Sequence, residues 1–438
     1  MRRTDGTPTA GGMKRNPIWG LKMTLEKIIT LAVFAACYGL ALSRKVKIAY
    51  ASLGSAGVLL LLGVVTPGEA LFKAVKWDVL GIYWGFMMVS YVFMQSRMPD
   101  LIANRILTRV NVEKYVIFAL CAFTAFLSAF MENVGVVLMM APVAIAVSRR
   151  MGSDLFPYMI AIAISSNVVT TLTMVADPPS IILAMETGMK PLDFYFFKGR
   201  IGLGTITLIG VLVALGTLLV QFRQMKSPVA VQAEAIPTTK GATVLFVLGV
   251  AALAVGPEFG LRPGIVGLTV GLIALYMGRA DLREMIVEFD WNSFFFIMGV
   301  FIVIYTLNAS GLLKDFSDLV IRSGINSPAA MLAFLIWISV ALSSFMDNVP
   351  YTILMIPVCQ NLAASFGIEA WPFLYGMLIG TGIGGNITPV GATANVFACG
   401  ILEKQGRKVQ LGRYLKLSIP FSLAAVAVAH ILLQLIWL

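Results

Sequence analysis

The feature that most constrains this chain is a set of long windows almost free of charge. The only acidic or basic side chain between residues 115 and 148 is Glu132, between 157 and 185 it is Asp177, and between 328 and 368 it is Asp347. Residues 371–402 contain none. Roughly 20 apolar residues cross a bilayer core, and backbone left unpaired in lipid is costly, so such windows fold as helices. Only 13% of the chain is charged and 58% is hydrophobic, whereas about 25% is charged in a soluble domain. The expected class is an all-α polytopic membrane protein. Several windows are too short to cross alone or are cut by Pro, Gly, Asn or an acid, which points to complete spans mixed with re-entrant hairpins and broken helices.

The formal net charge of +11 sits in short connections, among them Arg44, Lys45 and Lys47; Arg105 and Arg109; Arg149 and Arg150; and Lys404, Arg407 and Lys408. That distribution reads as topology signals, not as a nucleic-acid face, and the bilayer is the expected partner. Arg2, Arg3, Lys14, Arg15, Lys22 and Lys27 favour a cytoplasmic N-terminus, while the cluster at 44–47 argues the other way. The apolar run from Ile28 to Ser43 reads as a span, not a removed signal peptide. Cys37, Cys121, Cys359 and Cys399 all fall in apolar segments and read as small buried hydrophobes. His430 reads as a packed residue in the last span. No metal-ligand spacing, Walker sequence or dinucleotide fingerprint is present, so the chain is expected not to be an enzyme and no catalytic residue is assigned.

The polar stretch from Arg223 to Lys240 divides the chain. The expected organisation is a cytoplasmic leader (1–25), a first transmembrane repeat (26–222), a linker (223–241) and a second transmembrane repeat (242–438). LSAFMENVGVVLMMAP, from Leu127 to Pro142, matches LSSFMDNVPYTILMIP, from Leu342 to Pro357, at an offset of 215. The same offset sets Asp177 opposite Ala392, and Lys76-Trp77-Asp78 resembles Asp290-Trp291-Asn292 at 214. Paired repeats with interrupted helices are the usual construction of secondary transporters, with ion sites near the midplane.

Glu132-Asn133 and Asp347-Asn348 are the sharpest candidates. An intramembrane carboxylate costs several kcal/mol unless it faces a partner, a cavity or a cation. The plainer reading is that each acid caps a helix, and capping can coexist with ion binding. A second candidate is the break around Ser165–Thr173 and Asp177-Pro178-Pro179-Ser180, with Asn167, Thr171, Thr173, Asp177 and Ser180 as its polar residues. Proline removes donors there and frees carbonyls. Its partner runs from Gly382 to Asn395 and offers Asn386, Thr388, Thr393 and Asn395. Asp78, Asn292 and Asn308 are weaker candidates, and Trp77, Trp291 and Trp371 read as interfacial anchors.

FMENV with its following MMAP, ADPPS, FMDNVP and GGNITPVGATANV resemble the ion transporter superfamily, in the branch of arsenite permeases, the P protein, citrate transporters and NhaD-type antiporters. The resemblance covers nearly all of the chain after residue 25. It implies two inverted repeats with re-entrant hairpins and discontinuous helices. It places Glu132-Asn133 and Asp347-Asn348 at hairpin tips and the two polar stretches at helix breaks. A bound sodium ion at Asp347, Asn348 and Asn386 is implied, as are elevator motion, a homodimer and, for an arsenite pump, a separate ATPase partner. The sequence departs from the pattern at Glu132 (usually Asp), at Val169, Thr170 and Ala176 (often Gly), and at Ser180 (often Asn). The unequal copies favour the second half as the larger part of the ion site.

The leading expectation is arsenite-type efflux of a small inorganic ion or oxyanion by alternating access, in a bacterial inner membrane. Sodium/proton antiport and cation-coupled uptake of citrate or another dicarboxylate are the alternatives. Deep Lys or Arg residues are missing, which weakens the dicarboxylate reading.

Overall fold

The computed structural model describes residues 24–43, 45–228, 236–322 and 324–438. The expected leader up to residue 23, Arg44, and residues 229–235 of the linker lie outside the described residues.

The chain is an all-α polytopic membrane protein whose two halves repeat the same elements. The first half runs through helices Leu25–Ser43, Ile48–Leu61 and Trp77–Gln95, a helical hairpin (Glu113–Ser128 and Asn133–Met151), a broken helix (Leu155–Asn167 and Pro178–Thr187) and Leu203–Gln221. The second runs through Lys240–Val255, Pro263–Met277 and Trp291–Ala309, a hairpin (Pro328–Ser343 and Asn348–Ser365), a broken helix (Trp371–Gly384 and Thr393–Lys404) and Leu411–Trp437. Five described helices are long and apolar enough to cross a membrane alone. Pro263–Met277 and Arg279–Glu288 form a pair bent by 81°. The half-helices (10–14 residues) and the first arm of each hairpin (16 residues) are shorter and cover only part of the bilayer thickness at about 1.5 Å per residue, while Asn133–Met151 has 19 residues.

The halves interlock. Trp77–Gln95 packs along Pro263–Met277, and its counterpart Trp291–Ala309 packs along Ile48–Leu61. Small residues permit the first contact: a Cβ on Gly85 would stand 1.9 Å from the Gly267 carbonyl oxygen. Asn133–Met151 lies against Thr393–Lys404, and Asn348–Ser365 lies against Pro178–Thr187, so each hairpin supports the other half's broken helix.

The repeats are inverted. The base of the first hairpin is held at one face, where Glu113 N–H donates to Ser227 O, Lys114 N–H donates to Met225 O, and Arg149 bonds to Gln405. The second hairpin opens to the opposite face, near the ion pair of Lys198 with Glu369 and the Trp437 indole donating to Ile201 O. The four cysteines are free and buried. Asp78 forms an ion pair with Arg262 (2.7 Å), and Asn292 accepts from the Ala49 N–H, so both serve packing between helices.

Candidate functional site

The two acid–asparagine motifs form the hairpin tips. Glu132 caps Asn133–Met151, its Oε2 accepting from Gly135 N–H at 2.8 Å. Asp347 caps Asn348–Ser365, its Oδ1 accepting from Val349 N–H at 2.9 Å. Each acid therefore satisfies a helix start with one oxygen.

The broken helices lie beside the tips and are closed by matching side chains. Ser180 donates to the Thr170 carbonyl (2.7 Å), and Asn395 donates to the Gly385 carbonyl (2.9 Å). Donors and acceptors are both separated by the repeat offset of 215. Likewise Thr173 donates to the Ala129 carbonyl and Thr388 to the Ser344 carbonyl, binding each break to its own hairpin tip. The Gly385 carbonyl is the one that Pro389 leaves without its i+4 donor, whereas the Thr170, Ala129 and Ser344 carbonyls lie where a helix or hairpin arm ends and need a side-chain donor for that reason.

A chain of amides joins the halves. Asn133 Nδ2 donates to Asn167 Oδ1 (3.2 Å), and Asn167 Nδ2 donates to Asn386 Oδ1 (3.0 Å) and Asn395 Oδ1 (2.9 Å). Asn386 also donates to the Ile164 carbonyl and receives Tyr414 OH at its own carbonyl. On the other side, the Asp177 carboxylate meets the Asn348 side chain and lies within electrostatic range of Asp347 and Glu132. Thr171 shares a hydrogen bond with Thr207 (2.7 Å). Thr393 opens the last half-helix with an exposed side chain.

The structure thus gathers Glu132, Asp177, Asp347 and Asn348 on one side and Asn133, Asn167, Asn386 and Asn395 on the other. Asn386 is bonded to Asn167 and Ile164, while Asp347 bonds to Val349 and Asn348 to Ser343. Among the described residues no hydrogen bond links Asn386 to Asp347 or Asn348. The hairpins differ in saturation. In the second, Ser343 Oγ donates to Asn348 Oδ1 and lies against the Thr381 carbonyl. In the first, the equivalent Ser128 Oγ and Asn133 Oδ1 are buried and have no hydrogen-bond partner among the described residues, as is the case for Thr170 Oγ1.

A cavity of about 30 Å³ lies beside the first hairpin, lined by Tyr83, Ser90, Phe130, Glu132, Ala176 and Asp177. It is large enough to hold water. Tyr83 and Ser90 come from Trp77–Gln95, and sequence reasoning missed both. Tyr83 aligns with Ile297 at the offset of 214, so repeat matching carries no signal for it. Ser128 and Ser343 were visible as the recurring Ser of the paired motifs. Among the described residues, no group of three His, Cys, Asp or Glu side chains is arranged to hold a metal ion.

Residues 38–380 match the family model described as citrate transporter. An uncharacterized transporter of Mycobacterium tuberculosis is 26% identical over 399 residues, covering 88% of this chain and 93% of the relative. The human P protein is 24% identical over 505 residues, covering 93% of this chain and 60% of that protein. The crystal structure of the Alcanivorax borkumensis YdaH transporter, described as having an unusual topology, superposes with a TM-score of 0.57 at 14% identity, covering 93% of this chain and 98% of that one. That likeness concerns the fold.

Proposed function

The chain belongs to the citrate transporter family, and from that premise we propose that this multi-pass secondary transporter exports a small inorganic hydroxy acid of the arsenite type, coupled to an ion gradient, across a bacterial inner membrane. The observation that carries the reading is that Glu132 and Asp177 line one cavity, with Asp347 within electrostatic range of Asp177 and no Lys or Arg among the described residues that form the site. A carboxylate-rich pocket repels a multiply charged anion. Arsenous acid is uncharged at neutral pH and escapes that penalty; citrate does not.

In this reading the acids carry the coupling ion and the amides bind the cargo. Glu132 and Asp177 border the cavity against Trp77–Gln95. Protonation would neutralise this site when the hairpin and half-helices move against that helix. The asparagine chain offers donors and acceptors suited to hydroxyl groups.

Sodium/proton exchange is the second reading. It is favoured by the unpartnered oxygens of Ser128, Asn133 and Thr170, which add neutral ligands to the acids of the first half. These open oxygens shift the proposed coupling-ion site toward the first hairpin, whereas the second has closed its Ser343–Asn348 pair.

The test is flux in proteoliposomes under imposed proton and sodium gradients, with arsenite, sodium and citrate compared. Proton-driven arsenite flux that is lost in Asp177→Asn supports the proposal. Citrate flux with no arsenite flux overturns it, and sodium flux alone selects the second reading.

A further inference from the structure

We propose that the hollow under the short helix Met98–Leu107 is a binding site for an anionic phospholipid, with Arg105 and Arg109 holding the headgroup phosphate. This inference is independent of the transported cargo.

The hollow is a cavity of about 430 Å³, lined by Met98, Leu101, Ile102, Arg105, Arg109 and Val110. Its apolar walls are half-buried, while both arginines are exposed. That combination suits a ligand with an anionic head and a hydrocarbon body: guanidinium groups bind phosphate through directed hydrogen bonds, and acyl chain covers the apolar wall. Neighbouring Arg97 is occupied by Asp100. Among the described residues neither Arg105 nor Arg109 has an acidic partner.

The repeat supplies an internal control. Leu312–Ile321 is the counterpart of this helix at an offset of 214. Leu319 stands opposite Arg105, and Asp315 stands opposite Leu101. Asp315 is paired with Lys27. The second copy therefore has lost both a phosphate ligand and an apolar wall, so the first site is not merely what the shared helix–hairpin junction requires.

The two faces of the protein differ in the same sense. The face of the first hairpin base carries Lys114, Lys226, Arg279, Lys404 and Lys408 in addition to Arg105 and Arg109. On the opposite face Lys27, Lys76, Lys190, Lys198 and Arg262 are paired with acids and Arg200 donates to the Ile436 carbonyl, while Lys314 and Arg322 have no acidic partner among the described residues. Excess Lys and Arg mark the cytoplasmic side. The site then faces the cytoplasmic leaflet, and the first described helix begins at the outer face, in agreement with Lys45 and Lys47 and against the leader's charge.

The experiment uses the purified full chain in neutral detergent, titrated separately with phosphatidylglycerol, phosphatidylcholine and inorganic phosphate. Thermal unfolding and retained lipid by native mass spectrometry are the readouts. Phosphatidylglycerol should be retained and raise the unfolding temperature, phosphatidylcholine and inorganic phosphate should do neither, and Arg105→Ala/Arg109→Ala should weaken retention by roughly 30-fold, about a factor of five for each basic residue. Arg105→Lys/Arg109→Lys keeps the charge but loses the guanidinium fork, and should retain lipid at a level between wild type and the alanine pair. If the alanine pair cannot be purified, Arg105→Gln alone should lower retention about fivefold. Equal effects of the two lipids, an equal effect of inorganic phosphate, or unchanged retention in the arginine-depleted variants would each overturn the proposal.

Discussion

The Asn167 side chain donates to Asn395 Oδ1 at 2.9 Å, so the break of the first half is bonded directly to the break of the second. Asn395 also holds the Gly385 carbonyl, as Ser180 holds the Thr170 carbonyl in the first half. One position therefore closes its own helix break in both repeats, but reaches across to the other repeat in only one.

That difference separates two losses at one residue. Asn395→Ser should keep a hydroxyl for the Gly385 carbonyl while releasing Asn167. Asn395→Ala removes both of these bonds and the donation to the Thr388 carbonyl (3.2 Å). A buried group left unsatisfied costs about 1–3 kcal/mol, so the alanine variant should unfold at lower denaturant than the serine variant, and both below wild type. Chemical unfolding in detergent reads this order, and equal midpoints for serine and wild type would remove Asn167–Asn395 as a stabilising link.

Thr173 and Thr388 make the same bond in opposite halves. Thr→Val at either position keeps the shape, removes the hydroxyl and should cost about 1–3 kcal/mol, because a buried hairpin-tip carbonyl loses its donor. The expected finding is two similar shifts in unfolding midpoint. A large shift at one site with none at the other would show that the matched geometry does not carry matched energy.

The repeat, the hairpin tips and the helix breaks could be read from sequence because they rest on local chemistry: an isolated acid in an apolar run, prolines after Asp177, and a match at fixed spacing. The wiring between halves could not. Nothing in the pattern says that Asn167 reaches Asn386 and Asn395, or that Asp177 meets Asn348, since those pairs depend on how inverted halves interlock. The glycine-rich second break also has a structural cause. A Cβ on Gly380 would stand 2.5 Å from the Ile336 carbonyl oxygen, and one on Gly382 would stand 2.1 Å from Thr170 Oγ1. These residues admit the neighbouring hairpin arm and the other half's break.

Gly382→Ala tests this close approach. The added methyl must displace Thr170, and overpacking of this kind costs typically about 1–3 kcal/mol. Thr170→Ala removes the opposing hydroxyl and should recover part of that loss in the double variant. Unfolding midpoints of the two single variants and the double form a cycle; strictly additive losses would mean that the residues do not collide.

Asp154 gives a pH-dependent contribution outside the spans. Burial opposes its charge, but the Arg413 guanidinium and the Phe156 N–H hold its carboxyl below the usual carboxylate range. With the folded value lowered, stability from this group is present above the unfolded value of about 3.9 and is lost as pH falls through the folded value. Asn still caps a helix, so Asp154→Asn should cost only the charge term, about 0.2–1 kcal/mol for a partly exposed pair. Melting curves of the two proteins should differ near neutrality and converge in strong acid. A gap that widens on acidification would contradict the assignment.

The three intramembrane acids make separable predictions for coupling. Asp177 shares a cavity with Glu132 and lies within electrostatic range of Asp347, whereas Glu132 and Asp347 each spend an oxygen on a helix cap. Asp177→Asn removes a charge without removing a cap, because Asp177 makes no side-chain cap bond. It should leave folding intact and abolish the response of cargo flux to an imposed pH gradient. Glu132→Gln and Asp347→Asn preserve acceptors for their helix starts, so their folding losses should be small. Glu132 borders the cavity with Asp177, and its variant should resemble Asp177→Asn if the coupling ion occupies the first half. Asp347→Asn should then retain a pH response at a reduced rate. Vesicle flux measured across a range of internal and external pH distinguishes these outcomes. Loss of the pH response in Asp347→Asn alone would move the coupling site to the second hairpin.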